Sequence, residues 1–137
     1  MKAFRDLVES SIATGSMVGV DSLLADDVVF RSPVAYKPYP GKAITAAILN
    51  GVSRVFEDFH YVGSIEEENR SALLFEAKVG DVDIHGCDFI TTNDDGLIDE
   101  FTVMVRPMSG AKALMDAMAA QFPQIQADAE AYLEQQA

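Results

Sequence analysis

Residues Asp83–Pro107 read DIHGCDFITTNDDGLIDEFTVMVRP, and this stretch predicts two antiparallel strands joined by a tight turn. Apolar and polar residues alternate on both sides of the Asp-Gly pair at 95–96, which is the strongest local signal for a β-hairpin. On the first strand, Asp88 falls on the same face as Ile84 and Ile90. A carboxyl group in phase with apolar side chains is unusual, so Asp88 is the first candidate for a functional residue.

The length and charge of the chain limit the classes of protein that it can be. A chain of 137 residues has the length of one domain, which we expect to span 1–137. A net charge of −12 disfavours partners that bind clustered basic residues, so neither nucleic acid nor a membrane is an expected partner. The N-terminus lacks a signal-peptide core, and a single cysteine, Cys87, is typical of a reducing compartment, so a cytoplasmic location is expected.

The first half of the chain predicts helices and one strand. Apolar spacing indicates a first helix that ends near Thr14-Gly15, a second short helix over about 17–24 and a strand over 26–31. Three prolines make 32–41 a loop. From Lys42 to Phe59, apolar residues at helical spacing predict a long amphipathic helix, the main one in the molecule.

The second half predicts a sheet and a last helix. Strands over about 59–65, 71–79, 83–92 and 97–106 form an antiparallel meander. Ser109 is the expected N-cap of the last helix, Pro123 should break or kink it, and the tail to Ala137 has helical composition. Helices followed by an antiparallel sheet predict an α+β fold, in which the N-terminal helices and the long helix cover the concave sheet face around a cone-shaped cavity.

Asp88 would lie in that cavity. Burial disfavours the ionised carboxyl and should raise its pKa, so that Asp88 could donate a hydrogen bond or a proton to a carbonyl compound near neutral pH. The alternative is a structural role, in which Asp88 satisfies a backbone donor or a buried Tyr or Arg. The candidate ligand-binding residues are apolar or aromatic side chains expected at the wall or rim, namely Phe30, Tyr36, Tyr39, Phe56, Tyr61, Phe101 and Val103.

Other reactive side chains carry weaker signals. His85 and Cys87 could form a nucleophilic dyad, but strand alternation places both on the outer sheet face, unless a bulge at Gly86 re-aims one of them. Asp99 lies beside the hairpin turn and is expected at a rim or in the turn. The two histidines lack ligand spacing, the acidic turn lacks the calcium-loop pattern and no cofactor motif is present, so neither a metal nor a cofactor is expected.

Several short motifs along the chain resemble the SnoaL-like branch of the nuclear transport factor 2-like superfamily. The resemblance covers nearly the whole chain, and the motifs that carry it are Leu24–Phe30, Ser32-Pro33, Gly41-Lys42, Gly86–Phe89, Asp95–Phe101 and Arg106-Pro107. It implies a cone-shaped, cystatin-like α+β fold, a homodimer through the outer sheet face and a pocket for a small hydrophobic molecule.

The resemblance also assigns expectations to individual positions. Asp88 matches the place where ketosteroid isomerases keep a protonated Asp that stabilises an enolate. Ser32 stands where those enzymes keep their base, Val8 where they keep a helix-1 Tyr, and Phe101 where cyclases of this branch keep a His. The resemblance thus implies a cofactor-independent isomerase, cyclase or hydrolase acting on a hydrophobic carbonyl compound. The alternatives are a non-catalytic ligand-binding or dimerisation module, or an accessory subunit of a larger enzyme.

Overall fold

The computed structural model describes residues 1–136, except for the side chains of residues 12 and 13. The element order is α1 (Lys2–Thr14), a short 3-10 helix (Val20–Leu23), β1 (Leu24–Arg31), β2 (Tyr39–Pro40), α2 (Lys42–Ser53), β3 (Glu57–Glu66), β4 (Arg70–Val79), β5 (Val82–Thr92), β6 (Ile98–Arg106) and α3 (Met108–Gln136). This order confirms the predicted α+β class. No helix of the described residues is long and apolar enough to cross a membrane.

One curled six-stranded sheet forms the body of the molecule, with the strand order β2-β1-β6-β5-β4-β3. Strands β3 to β6 form the predicted antiparallel meander. The sheet is not wholly antiparallel, however, because β1 pairs with β6 in parallel. Side-chain alternation predicts which face of a strand is buried but not which strand lies beside it, so this pairing was not visible in the sequence.

The first helix follows its prediction closely. Phe4 and Val8 are buried, and α1 ends at Thr14 with Gly15 in the left-handed conformation at φ 70°. The Gly15 N–H donates to the carbonyl of Ser11 at 2.7 Å, which closes the helix end. The side chain of Ile12, predicted on the same apolar face, lies outside the described residues.

Two of the predicted helices are shorter than expected. The second is reduced to the 3-10 helix at Val20–Leu23, which follows Gly19 at φ 95°. The helix from Lys42 ends at Ser53 rather than near Phe59, and β3 begins at Glu57. The apolar residues beyond Ser53 extend the helical spacing in the sequence because they pack on the same core as α2. The chain nevertheless leaves the helix there and enters β3.

The longest helix is α3, with 29 residues against 12 for α2, so the prediction that α2 is the main helix was wrong. Ser109 is not an N-cap, because the helix begins at Met108 and Ala111 N–H already donates to the carbonyl of Pro107. Pro123 lies inside α3 and does not break it. Packing of both halves of α3 on the core outweighs the loss of one backbone donor.

The close fit of the sheet to its core is clearest at Gly86, two residues before Asp88. A Cβ atom at this position would lie 2.4 Å from Cζ of Phe75, which is fully buried. The Phe75 ring therefore lies directly over Gly86, and it stacks on Phe59 with ring centroids 4.9 Å apart. The absence of a side chain at 86 is what lets this aromatic cluster rest on the sheet.

We expect Gly86→Ala to lower the free energy of unfolding by about 1 to 3 kcal/mol, because the added methyl group overlaps the Phe75 ring and displaces it from its stacked position on Phe59. Denaturant unfolding measures this loss. Gly63→Ala is the matched control, since a Cβ at Gly63 on β3 would meet nothing within 4 Å. Equal stability of the two variants would contradict the proposed packing.

Candidate functional site

A cavity of about 260 Å³ lies between the concave face of the sheet and the helices. Its wall combines side chains from α1, β1, α2, the sheet, α3 and the loop after β1. The lining residues are Phe4, Val8, Met17, Phe30, Ser32, Pro33, Val34, Ala35, Tyr39, Ile48, Leu49, Val52, Phe56, Phe59, Phe75, Asp88, Phe101, Val103, Leu114, Met115, Met118, Ala119 and Phe122. The wall is overwhelmingly apolar, as is typical of sites for small hydrophobic molecules.

Asp88 lies on the inner face of β5 and lines this cavity, as strand alternation predicted. Its partners across the sheet are Leu73 on β4 and Val103 on β6. The residue is only 7% exposed. The carboxyl group is thus held among apolar neighbours, with the cavity in front of it.

Burial away from water raises the pKa of the Asp88 carboxyl from its ordinary 3.8 to about 7. The Tyr61 hydroxyl donates a hydrogen bond to Asp88 Oδ2 at 3.4 Å and acts to lower the pKa of Asp88, because it stabilises the ionised form. Burial and the nearby Asp88 charge raise the pKa of Tyr61, so Tyr61 stays protonated and remains the donor. Near neutral pH the carboxyl group is therefore present in both protonation states.

The other titratable and polar groups on the wall are few. Asp88 is the one carboxyl group among the described lining residues, and Ser32 and Tyr39 contribute hydroxyl groups. Such a wall can bind an uncharged molecule by shape and hold one of its polar atoms by a hydrogen bond. Among the residues described, no group of three or more His, Cys, Asp or Glu side chains could hold a metal ion.

The structure brings most of the predicted ligand-binding residues together. Phe30, Tyr39, Phe56, Phe101 and Val103 all line the cavity.

Two aromatic residues depart from the prediction. Tyr61 does not line the cavity but contacts Asp88 through its hydroxyl. The prediction for Tyr36 was wrong, because its side chain is fully exposed and does not line the cavity. Val34 and Ala35, which precede it in the loop, take the inward positions instead.

The positions singled out by the family resemblance lie in the same cavity. Ser32 and Val8 both line it together with Asp88, and so does Phe101. The wall therefore presents a hydroxyl and an isopropyl group at the places where the resemblance puts an isomerase's base and tyrosine. These residues supply no second carboxyl group for proton transfer.

His85 and Cys87 lie on the opposite face of β5, as alternation predicted. The β4–β5 pairing runs without interruption from 82 to 91, so no bulge at Gly86 re-aims either side chain. Burial and the nearby Asp88 charge raise the pKa of the Cys87 thiol, which disfavours the thiolate that a nucleophile needs. The structure thus offers no support for a catalytic dyad.

The hairpin turn and Asp99 have structural partners. Asn93 Oδ1 accepts hydrogen bonds from the backbone N–H groups of Asp95 and Leu97, which closes the turn. Asp99 accepts a hydrogen bond from the Thr91 hydroxyl, at the point where the β5–β6 register shifts. Asp99 is therefore a residue beside the turn and does not line the cavity.

Reasoning from the sequence missed the contribution of α3 to the wall. Five of its residues line the cavity, at helical spacing: Leu114, Met115, Met118, Ala119 and Phe122. The apolar spacing was a visible signal of a buried face. It could not reveal that this face covers the same cavity as Asp88, because the direction of α3 depends on how it packs.

The model of the SnoaL-like domain matches residues 4–101. The chain is similar in structure to a steroid delta-isomerase from Pseudomonas aeruginosa, with 42% identity, a TM-score of 0.80 and coverage of 87% of this chain and 88% of that one. It is also similar to an uncharacterised protein with a cystatin-like fold from Silicibacter pomeroyi, with 38% identity, a TM-score of 0.76 and coverage of 85% and 87%. No curated protein matches the chain.

The raised pKa of Asp88 makes a prediction about stability and pH. Below about pH 4, Asp88 is neutral in both the folded and the unfolded chain. Between about pH 4 and pH 7 the unfolded chain ionises this group while the folded protein does not, so the free energy of unfolding falls as pH rises, by about 1.4 kcal/mol per pH unit. Above about pH 7 the loss, about 4 kcal/mol in all, is complete.

Denaturant unfolding of the protein and of Asp88→Asn across this pH range isolates the contribution of the group. The free energy of unfolding of the unaltered protein relative to that of Asp88→Asn should fall as pH rises. In Tyr61→Phe this fall should continue to higher pH, because the variant lacks the donor that stabilises ionised Asp88. A difference that does not change with pH would show that the carboxyl group has an ordinary pKa.

Proposed function

Because the chain belongs to the family of SnoaL-like domains, we propose that it is a cofactor-independent, isomerase-type protein that binds a small hydrophobic carbonyl compound. In this proposal Asp88 is the acid/base residue or, in its neutral form, a hydrogen-bond donor. The similarity to a protein described as a steroid delta-isomerase supports the reaction type.

One observation carries the proposal: a single buried carboxyl group with a pKa of about 7 lines an apolar cavity. Structural carboxyl groups in proteins are usually exposed or paired with a cation. The one hydrogen-bond partner of the Asp88 side chain in the described residues is the Tyr61 hydroxyl, on Oδ2. Oδ1 is therefore available to a ligand, and a pKa close to the working pH is the optimum for proton transfer.

The chemistry needs no external reactant. Ionised Asp88 takes a proton from the carbon beside the carbonyl group, and the electrons of that C–H bond move onto the carbonyl oxygen to give an enolate. Neutral Asp88 then returns the proton to a carbon atom of the same molecule, so that the product is an isomer of the substrate.

A non-catalytic binding protein is the second candidate, and a specific observation favours it. Ser32 and Val8 stand on the cavity wall where the resemblance places two further groups of an isomerase, and neither titrates near neutral pH. A protein of this kind would use neutral Asp88 only to donate a hydrogen bond to the ligand's oxygen. The two candidates share one ligand class and differ only in proton transfer.

Hydrogen–deuterium exchange of 2-tetralone separates the two candidates. This small bicyclic ketone has acidic hydrogens beside its carbonyl group, and transfer to Asp88 in D₂O replaces them with deuterium, which mass spectrometry detects. We expect the protein to accelerate exchange over buffer and Asp88→Asn to reduce that acceleration by at least about 100-fold, because the amide cannot accept the proton.

Asp99→Asn is the matched control, because Asp99 is a carboxyl residue on the neighbouring strand that does not line the cavity. This variant should accelerate the exchange of 2-tetralone as much as the unaltered protein does. Binding of 2-tetralone without accelerated exchange would support the non-catalytic protein. Exchange that survives Asp88→Asn would remove Asp88 from the mechanism.

We also propose that two copies associate through the outer sheet face. Paired positions on this face form two rows of mostly apolar residues, Leu74–Cys87–Met104 and Ala72–Phe89–Thr102. Phe89 and Met104 are 43% and 58% exposed in the isolated chain. An apolar centre of this kind fits an interface between identical sheets.

Met104→Glu tests this association. A carboxylate in the centre of the face would be buried without a partner, so we expect the variant to be a monomer of 14.9 kDa where the unaltered protein is a dimer. Light scattering during gel filtration measures the mass. Met108→Glu is the control, because Met108 is exposed at the start of α3 outside the sheet. A monomeric unaltered protein would contradict the proposal.

A cytoplasmic location remains part of the proposal. It is supported by the single cysteine, Cys87, which is free in the structure. Cell fractionation with an antibody against the protein tests it, and recovery outside the cytoplasm would contradict it.

A further inference from the structure

Helix α3 lies beyond the part of the chain that the SnoaL-like model matches. The match ends at residue 101 and α3 spans Met108–Gln136, yet five α3 side chains line the cavity. The wall of the cavity therefore has two sources. The matched part contributes Asp88 and the sheet as far as Phe101, Val103 of β6 lies just beyond the match, and the five α3 side chains form the roof.

The two ends of this roof are fixed by close contacts. At the start of α3, a Cβ atom at Gly110 would lie 3.0 Å from Ile84 and 3.1 Å from the carbonyl oxygen of Asp83, so the helix backbone lies directly on β5. Further along, Ile125 is fully buried and fills the space over Gly51 of α2, where a Cβ would lie 2.7 Å from its side chain. Displacement of α3 away from β5 at Gly110, or away from α2 at Ile125, would lose these contacts.

A polar contact strengthens the second fixed point. Arg54, just after α2, donates from Nε to Gln121 Oε1 at 2.8 Å, and its guanidinium lies 3.9 Å from the Asp128 carboxylate. These contacts lie on either side of Pro123 and tie both parts of the helix to the end of α2. The position of the α3 backbone over the cavity is therefore set by the fold rather than by a ligand.

The side chains between the two fixed points are the adaptable part of the wall. Met115 and Met118 lie in this span and line the cavity. Met115 is 44% exposed, and Met118 is partly buried against the hydrophobic core. Methionine is unbranched and has three rotatable bonds, so it can fit ligands of different outline at little cost. Phe122 closes this side of the roof and packs against Tyr39 with ring centroids 6.1 Å apart.

We propose that α3 is the specificity-determining element of the cavity, with Met118 and Met115 setting the length of apolar chain that the site accepts. The proposal rests on the proposed function and assigns two parts of ligand recognition to different parts of the cavity. Asp88 requires that the ligand carry an uncharged acceptor oxygen, and the α3 roof limits how much apolar structure extends from that oxygen. The ligand class is an uncharged aromatic or alicyclic ketone with a limited apolar side chain.

A series of fluorescent ketones tests this division. The 6-acyl-2-(dimethylamino)naphthalenes with acetyl, propionyl and lauroyl chains share one ring system and one carbonyl group and differ only in the length of the apolar chain. Their emission changes when they leave water, so a titration gives a dissociation constant for each. The decisive quantity is the ratio of the dissociation constants for the lauroyl and the propionyl compounds.

Met118→Ala should shift this ratio at least about tenfold in favour of the lauroyl compound, because removal of the thioether opens space for chain carbons. Met118→Leu keeps the volume and should leave the ratio within about threefold of the unaltered protein. Met115→Ala provides a second test that does not depend on a core position, since Met115 is half-exposed, and it should shift the ratio in the same direction.

Met108→Ala is the matched control on the same helix, because Met108 is exposed and does not line the cavity, and its ratio should be unchanged. Asp88→Leu, which removes the hydrogen-bond donor, should weaken all three ketones by a similar factor and leave the ratio as it was. If neither alanine variant at Met115 or Met118 changes the ratio while the ketones still bind, the assignment of specificity to α3 is wrong. If no ketone binds the unaltered protein, the proposed function itself fails.

Discussion

The constraint on which the site depends is the burial of one carboxyl group among apolar side chains. Asp88 lies on the inner face of the sheet between Leu73 and Val103 and receives one weak hydrogen bond, from Tyr61. A carboxylate in such a place is poorly solvated, so the neutral acid is favoured and the pKa rises to about 7. The same burial that costs stability at neutral pH gives Asp88 the ability to donate and to accept a proton.

The fold maintains this environment through close packing around a neighbouring glycine. Gly86 and Asp88 lie on the same face of β5, and the absence of a side chain at 86 allows Phe75 to lie across the sheet. Phe75 stacks on Phe59, and Phe59 meets Tyr61 edge to face at 5.0 Å. An aromatic cluster thereby holds the tyrosine whose hydroxyl reaches Asp88. The packing of the sheet therefore also positions the hydrogen-bond donor of Asp88.

The cavity wall combines side chains from the part of the chain that the SnoaL-like model matches with side chains from α3, which lies beyond that match. The residues matched by the SnoaL-like model provide Asp88 and the sheet as far as Phe101, whereas α3 encloses the space above them. Glycines at 51 and 110 let α3 approach the rest of the molecule closely, so its backbone is held in place over the cavity. Under the proposal made above, Asp88 recognises the ligand's oxygen and the α3 methionines determine how much apolar structure fits beside it.

The sequence by itself determined the α+β class, the four-stranded meander, the hairpin turn and the inward direction of Asp88. These follow from period-2 alternation and turn residues, which are local properties of the chain. Only the tertiary structure decided that β1 lies parallel to β6, that α3 is the long helix and roofs the cavity, and that Tyr36 faces solvent. Local spacing shows which face of an element is apolar, but the partner of that face is chosen by the packing of the whole chain.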